Sequence, residues 1–267
     1  MIDLKQLCEQ VCQLAKTTGL FIKAEAIKFK TELIEVKGNN DFVSYVDKTS
    51  EKKIVEGLSK FLPEAGFIAE EGTSTKKGEV YNWVIDPLDG TTNFIHGLPC
   101  FSISIALMRK EELVLGVVYE VNLDECFYAW ENSSAYLNGN KIEVSKGSTL
   151  KNSLLATGFP YYDYGRMNEY LDLFKYFIQN THGLRRLGSA ATDLAYVACG
   201  RFEGFYEYSL QPWDVAAGAF IVQQAGGKVT DFKGGKNFIF GKELVASNGF
   251  IADEFLTAVQ TYFDKNK

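Results

Sequence analysis

The run Asp86-Pro87-Leu88-Asp89-Gly90-Thr91-Thr92-Asn93 sets two carboxylates, a glycine and two hydroxyls on a few consecutive residues, directly after the apolar Trp83-Val84-Ile85. An apolar run broken by Asp-Pro predicts the end of a buried strand, with Asp86 leaving the sheet and Asp89 one turn later. Both carboxylates can then face one cleft, which is what a metal-dependent phosphate site needs. Asp-Pro and Asp-Gly are also ordinary turn dipeptides that require no ligand, so the meaning of the run depends on the rest of the chain.

Other acids extend the pattern. Glu70-Glu71 follows the strand-like Phe67-Ile68-Ala69, and two adjacent acids at a strand end are costly unless they are solvated or offset by a cation. An exposed loop is the alternative there. Asp214 opens a helix in Pro212-Trp213-Asp214-Val215-Ala216-Ala217-Gly218, where an acid already suits the helix dipole. Trp213 and the small residues beyond it point to a buried helix start, where an unpaired carboxylate is expensive. Oxygen ligands from Glu70, Asp86, Asp89 and Asp214, with the Leu88 carbonyl, suit Mg²⁺ better than zinc. With only His96 and His182 in the chain, a histidine-rich centre is ruled out.

Phosphate capture falls to Gly90-Thr91-Thr92, where glycine allows close backbone approach at a helix start. The Thr91 hydroxyl, if bonded to a carboxylate, can also orient the attacking water. Asp47 is the candidate partner; standing alone, it would be the N-cap of the following helix.

Composition removes several classes of function. A net charge of -6 argues against nucleic acid as a main partner, because that binding relies on a basic face. Five cysteines, with no C-x-x-C pair, form neither a disulfide framework nor a zinc motif; Cys8 and Cys12 read as packing residues. The N-terminus lacks the regions of a signal peptide, and no apolar run reaches the roughly 18 residues of a membrane span. A cytoplasmic protein with no membrane partner is expected.

Along the chain, Leu4, Leu7, Cys8, Val11, Leu14 and Ala15 mark a first helix ending near Gly19. The polar segment from Lys28 to Asn40, with Gly38-Asn39-Asn40, reads as a hairpin or flap. Asp47 precedes a second helix through Ile54, Leu58, Phe61 and Leu62, closed by Pro63. Strands are expected at 67–69 and 83–85, then a meander at 102–108, 113–120 and 126–130, with a turn at Asn138-Gly139. The second half alternates: a strand at 154–157, a helix near 168–179, a strand leading to Gly188, a small-residue helix to Gly200, a strand at 202–206, and a helix from Pro212 to Gly226-Gly227. No linker or repeat appears, so one domain over 1–267 is expected, with an α+β half to about 150 and an α/β half after it. The pattern is one of layered helices and sheets.

Rival phosphatase chemistries lack their residues. None of the cysteines has an arginine six positions on, Asp47-Lys48-Thr49 continues as Ser50-Glu51 instead of the phosphoaspartate signature, and no G-x-x-x-x-G-K-[ST] loop occurs. Taken together, the motifs resemble the inositol monophosphatase family of Mg²⁺-dependent, lithium-sensitive phosphatases over nearly the whole chain. Asp41 to Asp47 is similar to D-x-V-T-x-x-D, Ala69 to Gly72 to G-E-E, Trp83 to Phe94 to W-x-I-D-P-[IL]-D-G-T-T-N-F, and Trp213 to Gly218 to W-D-x-A-A-G. Ser44 stands where threonine is usual and Ala69 where glycine is; neither removes a carboxylate.

The resemblance implies a layered αβαβα sandwich, commonly a homodimer. It implies metal ligands at Glu70, Asp86, Leu88, Asp89 and Asp214, for two or three Mg²⁺ ions, and catalytic roles for Asp47, Glu70 and Thr91. Substrate contacts would come from Asp89, Gly90, Thr91, Thr92, Gly188, Ser189, Ala190, Glu207 and Asp214. Asp193 is a further candidate for the substrate hydroxyls, and Lys37 for a third metal or the phosphate. The expected activity is hydrolysis of a small phosphate monoester such as inositol 1-phosphate. Fructose 1,6-bisphosphate, histidinol phosphate and nucleotide 3′,5′-bisphosphates remain alternative substrates, although Gly90-Thr91-Thr92-Asn93-Phe94 differs from the D-G-T-K-E-F of the nucleotide branch. A regulatory binding protein that keeps the fold is the alternative from another class.

Overall fold

The computed structural model describes residues 2–28, 34–38, 41–160 and 163–263, with the first two strands given by their backbone alone. Helix α1 (Leu4–Ala26) is capped by Asp3, whose side chain accepts from Gln6 N. It runs past the stop expected at Gly19. That glycine serves close approach instead, since a Cβ there would lie 2.3 Å from Tyr119 Cε1. Strands β1 (Ile34–Gly38) and β2 (Asp41–Ser44) pair antiparallel as a hairpin, whose second strand lies beyond the segment from Lys28 to Asn40 expected to hold it. Asn39 and Asn40 lie outside the described residues, as does the side chain of Lys37.

Helix α2 (Tyr45–Phe61) follows directly, so Asp47 lies inside its first turn and is not its N-cap. Then come β3 (Gly66–Ala69), β4 (Tyr81–Asp89), the short α3 (Thr91–Ile95), β5 (Ser102–Arg109), β6 (Glu112–Glu120), β7 (Glu125–Trp130), β8 (Ala135–Leu137) and β9 (Asn140–Ile142). These seven strands form one sheet in sequence order, parallel only at β3–β4. Asn138-Gly139 makes the β8–β9 turn with positive φ at both residues.

The second half gives β10 (Leu154–Thr157), α4 (Met167–Asn180), β11 (Gly183–Arg185), α5 (Ala190–Ala198), β12 (Gly204–Tyr208), α6 (Pro212–Gln224), β13 (Lys228–Thr230), β14 (Glu243–Ser247) and α7 (Ala252–Phe263). Strand β12 begins later than expected, because Phe202 N still bonds Tyr196 O at the close of α5. The second sheet runs β11-β10-β12-β14-β13, with β10, β11 and β12 parallel and β14 antiparallel to its neighbours.

Packing sorts these elements into five layers. Helices α1 and α2 cover one face of the large sheet, α5 and α6 lie between the sheets, and α4 and α7 cover the outer face of the small sheet. Alternation along β5 shows why. Ile103, Ile105 and Leu107 join the α1/α2 core, while Ala106 and Met108 join the α5/α6 core. The expected αβαβα sandwich is what forms. The end of β4 and the starts of α2, α3, α5 and α6 then meet at one edge of the middle layer.

Candidate active site

Strand β4 does not stop at Ile85. Its ladder with β5 continues through Asp86 opposite Ser104 and Asp89 opposite Ser102, with a bulge between. Pro87 has no N–H to give the ladder, which favours an irregularity at that point. Asp86 therefore stays in the sheet, 2% exposed, with Oδ1 accepting from Leu88 N at 2.9 Å. Gly90, at φ 97°, ends the strand and caps α3, in a left-handed conformation that glycine adopts without strain.

Beyond it, Thr91 Oγ1 lies 2.9 Å from both Asp47 Oδ1 and the Leu88 carbonyl oxygen. The hydroxyl carries one proton and donates to one of them at a time. Asp47 is 1% exposed and is joined to the cleft through Thr91.

Three further elements close around β4. Ser189 caps α5 by accepting from Thr192 N, while its hydroxyl donates to Asp89 Oδ2 at 2.6 Å; Ala191 N donates to the same oxygen at 2.8 Å. Asn93 Nδ2 donates to the Cys100 and Leu187 carbonyls, both at 2.8 Å, fixing the turn against the approach to α5. At α6, Gln211 N donates to Asp214 Oδ2 at 2.7 Å within a capping box. Asp214 is thus the first-turn acid that a helix start favours and also a member of the cleft. It and Trp213 are half-buried, more open than the sequence suggested, because this end of α6 faces the cleft.

Glu70 reaches the site from the end of β3, where its N–H still bonds the Ile85 carbonyl. The adjacent Glu71 does not line the cleft. Its backbone is clamped by the fully buried Glu51 of α2, whose two carboxylate oxygens accept from Glu71 N and Thr73 N at 2.7 Å each.

The resulting cleft has a volume of about 370 Å³. Glu70, Asp86, Leu88, Asp89, Gly90, Thr91, Thr92, Gly188, Ser189, Ala190, Glu207 and Asp214 all line it, as does Asp193. Of the residues singled out from sequence, Asp47 lies one hydrogen bond behind. Five lining residues escaped sequence reasoning: Gly158, Arg186, Ser209, Leu210 and Gln211. Gly158 has a specific purpose, because the Glu207 carboxyl rests on it; a Cβ at that position would lie 2.0 Å from Glu207 Oε2. Its position just past the parallel strand β10 was the available signal, since ligands in such sheets gather at the carboxyl ends of strands.

Electrostatically the cleft is strongly acidic. Burial, then the carboxylates of Glu70, Asp89 and Asp214, push Asp86 well above the usual carboxylate range. Burial pushes Asp89 up to about 6, against the pull of the Ser189 hydroxyl and the Ala191 N–H. Asp214 is raised by burial and by Asp89. The lining contains no histidine or cysteine, so the available donors are hard oxygens. Among the described residues, no three His, Cys, Asp or Glu side chains are already gathered around one point. The acids are nonetheless near enough for Asp86 to be raised by the charges of Glu70, Asp89 and Asp214.

Residues 3–263 match the model of the inositol monophosphatase family. The chain is 40% identical over 253 residues to the Nus factor SuhB of Pseudomonas aeruginosa, covering 93% of each protein. It is 38% identical over 264 residues to the fructose-1,6-bisphosphatase/inositol-1-monophosphatase of Aquifex aeolicus, covering 99% of each. The solved Thermotoga maritima IMPase superposes with a TM-score of 0.87 at 38% identity, over 95% of this chain and 96% of that one. No helix among the described residues is long and apolar enough to cross a membrane. An end-to-end match of this kind, on a fold whose layers bring the acidic motifs to one cleft, leaves one conclusion: the chain belongs to the inositol monophosphatase family, a family of phosphatases.

Proposed function

We propose that this chain hydrolyses the phosphate monoester of a polyol, with inositol 1-phosphate as the model substrate, and that it does so with Mg²⁺. The observation that carries the reading is the 2.9 Å contact between Thr91 Oγ1 and Asp47 Oδ1 at the rim of a cleft lined by Glu70, Asp86, Asp89 and Asp214. Two helix starts that are 44 residues apart, those of α2 and α3, supply the two halves of a proton relay. When Thr91 donates to Asp47, its lone pairs face outward to take a hydrogen bond from a water and aim that water at phosphorus.

The all-oxygen, carboxylate-rich donor set fits a hard divalent cation: burial raises Asp86, Asp89 and Asp214, neighbouring carboxylates raise Asp86 and Asp214 further, and such a charge relieves both effects. Mg²⁺ held by Glu70, Asp86, Asp89, Asp214 and the Leu88 carbonyl supplies a lowered water pKa and charge neutralisation. Asp86, Asp89 and Asp214 each keep one oxygen on a protein donor, which fixes their orientation before ligands arrive. Gly90, Thr91 and Thr92 receive the phosphate. Gly188, Ser189, Ala190 and Glu207 face the alcohol portion.

A phosphate-release panel tests this reading with inositol 1-phosphate, fructose 1,6-bisphosphate, histidinol phosphate and adenosine 3′,5′-bisphosphate, each with Mg²⁺, with EDTA and with Li⁺ added. Inositol 1-phosphate is expected to turn over fastest, and EDTA to abolish release. Turnover that is indifferent to EDTA removes the metal from the mechanism. The name Nus factor SuhB, borne by a relative of comparable identity, keeps a second reading in view, that of a protein acting through binding alone. Phosphate-ester binding without phosphate release in the panel would establish it instead.

A further inference from the structure

Two backbone N–H groups flank the α-carbon of Glu70, and the fold fixes both. Glu70 N donates at 3.2 Å to the carbonyl of Ile85, the residue before Asp86 on β4. The next, Glu71 N, donates to Glu51 Oε2 at 2.7 Å, and Thr73 N donates to Glu51 Oε1 at 2.7 Å. Gly72 between them has φ 66°, the left-handed conformation that lets a short loop turn both donors onto one carboxylate. Glu51 is 0% exposed, and hydrogen bonds from N–H groups to a charged acceptor are among the strong ones. Apart from Asp47, the other buried residues of α2 are apolar or small: Val46, Ser50, Ile54 and Leu58.

Keeping a carboxylate fully buried is expensive, and the place of Glu51 on α2 shows what it serves. It stands one turn after Asp47 on the same buried face of the helix, and Asp47 Oδ1 lies 2.9 Å from Thr91 Oγ1. One rigid helix therefore holds the water-aiming pair at Asp47 and the backbone of Glu70 at Glu51, while β4 ties that same backbone to the strand of Asp86. Resting on the Mg²⁺-dependent reading above, we infer that Glu51 is a positioning residue: it sets the Glu70 carboxyl at the cleft, in register with Asp86 and with the Asp47–Thr91 pair, before any cation arrives.

Mg²⁺ titrations test this, by calorimetry without substrate and by phosphate release with it. Glu51→Gln is nearly isosteric but replaces one acceptor oxygen with an NH₂ group that faces a backbone N–H. It should weaken Mg²⁺ binding about tenfold or more, the usual loss when a group that orients a metal ligand is removed, and leave kcat at saturating Mg²⁺ within about threefold. The Mg²⁺ concentration for half-maximal release should rise by the same factor on inositol 1-phosphate and on p-nitrophenyl phosphate, an ester whose alcohol half carries no hydroxyl. Gly72→Ala loosens the same loop without touching Glu51, since open space surrounds that position and only its left-handed backbone is strained. It guards against misfolding of the glutamine variant and should shift Mg²⁺ affinity the same way, by a smaller factor. Unchanged Mg²⁺ affinity in folded Glu51→Gln, or in Gly72→Ala should the first variant not fold, overturns the role of Glu51 alone, as does a loss of kcat that saturating Mg²⁺ does not restore. A wild-type protein that binds no Mg²⁺ and releases no phosphate from either ester overturns the metal-dependent reading along with it.

Discussion

The two walls of the cleft hold their acids in opposite ways. On the phosphate side Asp86, Asp89 and Asp214 each have an oxygen fixed by protein donors: the Leu88 N–H, the Ser189 hydroxyl with the Ala191 N–H, and the Gln211 N–H. On the far side none of the described residues donates to Asp193 Oδ1 or to Glu207, although both side chains are at least as deeply buried as Asp89 and Asp214. Donors from the protein orient a carboxylate and favour its charged form, which prepares it for a cation. A buried carboxyl left without donors is prepared for a ligand that brings its own. One acidic cleft can therefore be divided by function without any difference in residue type.

The largest expected effect breaks the first wall. Asp89→Asn keeps both acceptor contacts to α5 but removes the charge, so kcat/KM on inositol 1-phosphate should fall about 10³-fold or more, with the thermal melt near that of the wild type. Retained turnover would place the metal chemistry elsewhere. Thr91→Ala probes the relay beside that wall. It should lower kcat about 100-fold while the Mg²⁺ concentration for half-saturation stays put, and a variant that shifts only the metal requirement would retire Thr91 as the group aiming the water.

What the sequence revealed depended on the range of the interaction. The helices, the meander and the acidic motifs were legible because periodicity and turn dipeptides are local signals. Gly19 was misread because its reason for being glycine is Tyr119, far along the chain. The strand through Asp86-Pro87-Leu88-Asp89 was misread as a turn because proline in a central strand is tolerated only with a bulge, and the bulge depends on pairing with β5. The segment holding β13, β14 and α7 yielded no elements, since short strands between Gly-rich turns carry little pattern. Glu51 was in reach: Asp47, Glu51, Ile54 and Leu58 fall on one helical stripe, so the two acids sit on the buried face of α2. Gly158 and Arg186 join the site only through tertiary contact.

A smaller effect sharpens the second wall. The methyl group of Gly158→Ala would occupy the place of the Glu207 carboxyl, which can swing aside at little cost to folding but not without leaving its station. KM for inositol 1-phosphate should rise about tenfold, and hydrolysis of p-nitrophenyl phosphate should stay within twofold. If both esters suffer alike, Glu207 does not meet the alcohol half, and the division between the walls loses one of its two witnesses.

The smallest effect is read in stability. Burial raises Asp89 from 3.8 to about 6, so the folded protein binds that proton more tightly than the unfolded chain does. The resulting stabilisation is complete below pH 3.8 and is lost as the pH rises through 6. Asp89→Asn carries no such titration. With divalent ions chelated, the variant should therefore gain about 1–3 kcal/mol on the wild type between pH 4 and pH 7, seen as a widening gap in melting temperature. Burial raises Asp193 in the same direction, so Asp193→Asn should open a gap of the same sign. Mg²⁺ at pH 7 then separates the walls: it should close the gap for Asp89, whose charge the ion offsets, and leave the gap for Asp193, whose Oδ1 is buried without a partner among the described residues. If Mg²⁺ closes both gaps equally, the two walls are one metal site and the contrast between them fails.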